Sequence, residues 1–176
     1  MTEYRRPWVP GATWFFTVAL AERKGNRLLL DKVNALRAAT RSVQLNHPFQ
    51  IDAVVILPEH LHCIWTLPPK DFDFATRWGL LKGQFSRSID KGEPLSQSRA
   101  KRGERGIWQR RFWEHLIRDE DDFNTHIDYI HWNPVKHGWA QRVADWRHSS
   151  FHAYVKRGIY SADWGDAPGP DLAAGE

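Results

Sequence analysis

His60 and His62 stand two residues apart in the run HLHCIWTL. If that run is a strand, alternate side chains leave the same face. The two imidazoles then lie close enough to share one cation, while Leu61 and Cys63 point the other way. Alone, the pair is equally compatible with two ordinary histidines at a strand end, so other donors must join it. The chain has one cysteine, Cys63, and neither H-E-x-x-H nor H-x-E with C-x-x-C, so the usual zinc hydrolase and deaminase signatures are missing. Two histidines completed by oxygen donors suit Mn2+, and Mg2+ less comfortably, because hard magnesium prefers oxygen. Downstream, His126, Tyr129 and Asn133 follow one another at i, i+3 and i+7, beside an apolar stripe of Phe123, Ile127 and Ile130. If that stripe is helical and its face meets the exposed end of a sheet, Asn133 can offer its carbonyl oxygen as a third ligand. Tyr129, one turn earlier, can then aim its hydroxyl at a metal-bound phosphate.

The elements that must position these groups can be read from pattern. Residues 14–21 (WFFTVALA) read as a buried strand, and residues 31–45 as an amphipathic helix capped by Asp31. Residues 49–57 and 60–67 are two further strands, joined by so short a Pro58-Glu59 turn that they should pair antiparallel. Phe74, Trp78, Leu81, Phe85 and Ile89 are spaced for a second helix with a basic flank. Residues 92–106 lack a hydrophobic period and read as a loop, either a solvated one or a phosphate-contacting arm. Residues 107–117 are consistent with a fourth strand. Asp119 then caps a helix whose acidic first turn complements its dipole, and Pro134 predicts that this helix ends near Asn133. The order β, α, β, β, α, β, α predicts an α+β, ferredoxin-like fold: an antiparallel sheet with helices on one face and an extra C-terminal helix. Aromatic anchors follow, and the chain after residue 160 is expected to be an acidic, disordered tail, the last dozen residues above all.

At 176 residues, one compact domain with tails is the default. The single cysteine fits a reducing compartment, and no leader-like or membrane-spanning apolar run is present, so a cytoplasmic protein is expected. The net charge is +4, but Asp163, Asp166, Asp171 and Glu176 close the chain with no basic residue after Arg157, so residues 1–162 carry +8. A domain this basic favours polyanions, nucleic acid first. Ten tryptophans could supply stacking surfaces for unpaired bases, although large aromatics mostly fill cores.

At this point the motifs resemble a family. The segment VVILPEHLHCIWTLPP (54–69) is similar to the strand-turn-strand carrying the His-hydrophobe-His motif of single-tyrosine HUH transposases. The segment FWEHLIRDEDDFNTHIDYIHWNPVKHGW, from Phe112, resembles their nucleophile helix and its exit, with Y-I-x-x-N-P-V-K-x-G at 129–138. With WGLLKGQFSRS (78–88) and WRHSSF (146–151), the likeness is to REP-associated tyrosine transposases, over about residues 10–155. The resemblance implies a catalytic domain over 1–160, with His60, His62 and Asn133 as ligands of a divalent metal (Mn2+ or Mg2+) and Tyr129 as the nucleophile. It also implies single-stranded DNA cut and rejoined through a 5′-phosphotyrosine, at hairpin-forming palindromic repeats. The protein would act on nucleoid DNA, as a monomer in the REP-associated group or as a dimer like the transposases of mobile elements. Because a tyrosine hydroxyl ionises only near pH 10 in general, the cation or a base must favour the phenolate; His126, His131 and water are the candidate acceptors. Lys82, Arg87, Arg110, Arg111, Lys136 and Arg142 are the candidates for backbone contacts. A DNA-hairpin-binding protein that does not cut, and a metal hydrolase using activated water, are the competing readings.

Overall fold

The computed structural model describes residues 8–93 and 96–166. Four strands, β1 (Thr13–Ala19), β2 (Gln50–Ile56), β3 (His60–Thr66) and β4 (Trp113–Leu116), form one sheet in the order β2-β3-β1-β4. Every neighbouring pair is antiparallel. This is the expected split β-α-β arrangement, in which β3 sits between the parallel pair β1 and β2.

The helices are α1 (Leu28–Asp31), α2 (Val33–Asn46), α3 (Phe74–Arg87), α4 (Gln97–Lys101), α5 (Glu120–Lys136) and α6 (Phe151–Lys156). Strand periodicity divides the core between the two faces of the sheet. Trp14, Phe16, Val18, Cys63 and Trp65 meet Leu36 and Val43 of α2 and Trp78, Leu81 and Phe85 of α3. Phe15, Ala53, Val55 and Ile64 turn the other way, against Ile127, Tyr129 and Ile130 of α5 and Tyr154 of α6. Being covered on both sides, β3 is buried from His60 through Trp65. His60 and His62 share the phase of Ile64 and therefore face α5.

Several boundaries differ from expectation. Asp31 caps nothing: it ends the short α1, and α2 starts after Lys32 with no side-chain cap. The fourth strand is shorter than residues 107–117. Trp108 makes only an isolated bridge to Leu20, and pairing resumes at Trp113. Between them Arg110 leaves the sheet to bond Glu104 and Ser98. The loop over residues 92–106 contains α4, capped by Ser96. It is tied down by Arg105, which bonds Glu93 and the carbonyls of Ser86 and Ile89.

Pro134 does not end α5, which continues to Lys136. A proline nitrogen removes one hydrogen bond, and a fixed φ near the helical value leaves the chain free to continue. The helix stops instead at Gly138, whose φ of 70° is the left-handed conformation that closes a helix. The carbonyls of Asn133 and Pro134 are taken by the amides of His137 and Trp139. Beyond α6, Trp164 packs against Tyr160, the rings tilted by 45° with centres 4.6 Å apart. The rest of the expected acidic tail lies outside the described residues.

Candidate active site

The two histidines and the tyrosine meet where β3 lies under α5, the helix that also carries Asn133. His60 and His62 rings are 4.8 Å apart, centre to centre. His62 meets the ring of Tyr129 edge-on at 5.2 Å. Tyr129 is 1% exposed, with Phe15 edge-on at 5.9 Å and the Lys136 ammonium 5.0 Å from its ring centre. Asn133, one turn further along α5, is fully buried.

Neighbours leave the histidines with lone pairs to spare. His60 Nδ1 lies 3.1 Å from Glu59 Oε1 and His62 Nδ1 lies 2.8 Å from Thr17 Oγ1. With Nδ1 donating to these oxygens, each Nε2 keeps its lone pair, the outer-shell arrangement usual for metal-binding histidines. Burial, only partly offset by Glu59, pushes His60 down to about 4. Burial likewise holds His62 well below the usual histidine value. Both rings are thus neutral at pH 7, as ligands must be.

The buried Nε2 of His62 and both amide atoms of Asn133 have no hydrogen-bond partner among the described residues. Orphaned buried polar atoms are costly, and a bound cation would satisfy both ring nitrogen and amide oxygen. The donor set therefore fits a divalent metal.

A cavity of about 330 Å³ opens beside the histidines, lined by Thr17, Arg23, His60, His62, Arg111 and Trp113 among others. A second, of about 470 Å³, lies between α3 and the 96–110 arm and is strongly basic, with Lys82, Arg87, Arg99, Arg102, Arg105 and Arg110 around it. Gln109 lines both.

No family model matches the chain. It is, however, 48% identical over 177 aligned residues to the REP-associated tyrosine transposase of Escherichia coli K12, covering 100% of this chain and 98% of that one. The chain belongs to the REP-associated tyrosine transposases. These are DNA nicking and joining enzymes. A relative from Haemophilus influenzae carrying the same family designation is 46% identical, over 96% of each chain. A solved REP-associated tyrosine transposase bound to a REP hairpin superposes with a TM-score of 0.84 at 47% identity, over 100% of this chain and 98% of that one.

For a member of this family, the expected backbone-contacting residues separate into groups. Lys82, Arg87 and Arg110 line the basic cleft and Arg111 the histidine cavity. Lys82 also bonds the Gln109 carbonyl at 3.0 Å, and Arg110 pairs with Glu104 at 2.8 Å. Lys136 stands over Tyr129. Arg142 lines neither cavity and pairs with Asp166 at 3.2 Å.

Of the candidate bases, His131 points away from Tyr129, bonding Ser150 at 2.9 Å. His126 bonds the Asp122 carbonyl at 2.8 Å. Sequence reasoning missed Thr17, Glu59, Arg23, Trp113 and His137, whose ring lies 5.3 Å from His60. Only Glu59, adjacent to His60, had a local signal.

It also missed a second cluster, His115, Asp122 and His126, whose ligand atoms all lie within 4.8 Å of one another. The Asp122 carboxylate bonds His115 Nε2 at 2.9 Å and meets His126 Nδ1 at 3.0 Å. Burial raises that carboxyl, but hydrogen bonds from His115 and Arg118 outweigh it and hold it at about 2. Two histidines and a carboxylate could hold a cation. Here His126 Nδ1 carries the proton it gives to the helix carbonyl, so the set is a hydrogen-bonded brace between β4 and α5.

Proposed function

We propose that this chain cuts and rejoins single-stranded DNA at the foot of hairpin-forming palindromic repeats, using Tyr129 as the nucleophile at a divalent metal held by His60, His62 and Asn133. The observation that carries the reading is the edge-on contact of Tyr129 with His62, whose buried Nε2 lacks a partner, as does the Asn133 amide. A divalent cation bound there supplies charge neutralisation of the non-bridging phosphate oxygens and fixes the phosphate for in-line attack. Tyr129 Oη forms a bond to phosphorus and the bond to the 3′-oxygen breaks. The 3′-oxygen leaves with a proton, and the 5′-phosphate stays on the tyrosine. Attack by a 3′-hydroxyl reverses the step, so rejoining needs no ATP.

Lys136 places a positive charge over the phenol, favouring the negative charge that develops on its oxygen. With His126 and His131 engaged elsewhere, the proton passes to water. Lys82, Arg87 and Arg110 would carry the phosphates of the hairpin stem along the basic cleft and Arg111 those of the single strand, adding affinity and salt dependence rather than sequence choice. Arg142 would add a weaker contact of the same kind.

The test is a denaturing gel of labelled hairpin DNA from the repeats flanking the gene, mixed with protein and Mn2+. Wild type should give a labelled band at protein mass that depends on metal. His60→Ala with His62→Ala should lose cleavage and Mn2+ binding together while retaining hairpin binding. Hairpin binding by wild type without a cut or an adduct under any divalent metal would favour a non-cleaving binder.

A further inference from the structure

Most large aromatics of this chain are buried, but Trp113 is 42% exposed and stands at the rim of the cavity that holds His60 and His62. It faces Thr17 across the β1–β4 register, and Thr17 is the residue that bonds His62. Trp113 is therefore one strand away from the candidate metal ligands, on the same face of the sheet.

Its exposure is not looseness. The indole meets Phe15 edge-on at 5.6 Å and lies parallel to the His115 ring, 6° apart at 5.8 Å. His115 in turn stacks on His126 at 4.6 Å; the Asp122 carboxylate bonds His115, and the Asp122 carbonyl takes the His126 Nδ1 proton. A large apolar ring braced by two histidines and a buried carboxylate, yet left partly in water, is preorganised to receive a flat partner at little entropic cost. The charge beside it names the partner's class. Arg111 is exposed on the same rim, and Arg23, bonded only at 3.4 Å to Glu59, lies across from it. An apolar protein segment would not call for two guanidinium groups, whereas an unpaired nucleotide offers a π-face and a phosphate together. At about 330 Å³ the cavity is at the small end of ligand sites, room for a nucleotide rather than a duplex.

We propose that Trp113 is the stacking platform for the unpaired nucleobase next to the scissile phosphate, with Arg23 and Arg111 on that strand's phosphates. This rests on the single-strand cleavage reading above. Trp113 positions the strand, and the His115–Asp122–His126 brace positions Trp113.

The test places 2-aminopurine, one position at a time, through the single-stranded foot of the hairpin, and follows binding in the Tyr129→Phe background, where no cut is made. One position should be quenched on binding and lose that quenching in Trp113→Ala. Affinity for the single-stranded foot should fall about tenfold in Trp113→Ala and less than threefold in Trp113→Phe, while a fully paired hairpin binds both alike. In wild type, an abasic nucleotide at the quenched position should cost about the same factor in kcat/KM; this arm needs no Trp113 variant to fold. Quenching that is indifferent to residue 113 at every position would overturn the proposal, as would equal weakening of the paired hairpin. Because quenching is read without cleavage, failure of the stacking role is distinguishable from failure of the nuclease reading.

Discussion

Thr17 illustrates how a single hydroxyl can matter at a site without being one of its candidate ligands. By bonding His62 Nδ1 at 2.8 Å it holds the orientation of the ring and, in accepting the Nδ1 proton, would leave Nε2 for a ligand. Thr17→Val keeps the shape and removes that bond, so the Mn2+ concentration needed for half-maximal cleavage should rise by about 10–100-fold. Hairpin binding should be unchanged; a metal titration of the nicking rate checks this. The spacing of His60 and His62 on one strand, and of Tyr129 and Asn133 on one helix, was legible because both periods are local. The Thr17 contact was not, because it joins residues 45 apart through a register that only the assembled sheet defines. The same holds for Trp113 and His115, whose role depends on which residues of β1 and α5 they meet.

At the level of elements, the antiparallel ferredoxin-like sheet was legible from the order of strands and helices, whereas the placing of α5 on the face opposite α2 and α3, and the element ends, were not. Pro134 is tolerated in the last turn of α5, where it removes only its own amide bond and its fixed φ suits the helix, and the break at Lys32 has no side-chain cap to announce it. The joint between α2, β2 and α3 rests on Arg77, buried to 3% exposure. It bonds Asp71 at 2.6 Å and the carbonyls of His47, Pro48 and Asp73. A methionine fills similar space but takes the guanidinium donor from the His47 and Pro48 carbonyls and from the Asp71 carboxylate. Arg77→Met should therefore lower stability by about 2–3 kcal/mol, a range typical of buried acceptors left unpaired. Urea unfolding should show a lower midpoint with an unchanged m-value.

For the whole molecule, buried neutral histidines set the response to acid. Burial pushes His131 to about 3 and, against Glu59, His60 to about 4. The unfolded chain takes up these protons below about pH 6.5 while the folded chain does not, so stability is full above that pH and falls as pH drops towards 3. His131→Phe, which cannot titrate, should flatten this acid limb by up to about 1.4 kcal/mol per pH unit; urea midpoints measured from pH 7 to 4 read it. Gln109 lines both the basic cleft and the histidine cavity, and under the proposed function the cleft takes the hairpin stem and the cavity its single strand. The most direct test of that account is tandem mass spectrometry of the quenched protein–DNA product, to locate the residue that carries the nucleotide. A 5′-phosphonucleotide on the Tyr129 peptide, absent in Tyr129→Phe, is the predicted result. Cleavage that leaves no protein-linked nucleotide, or an adduct on another tyrosine such as Tyr154, would contradict it.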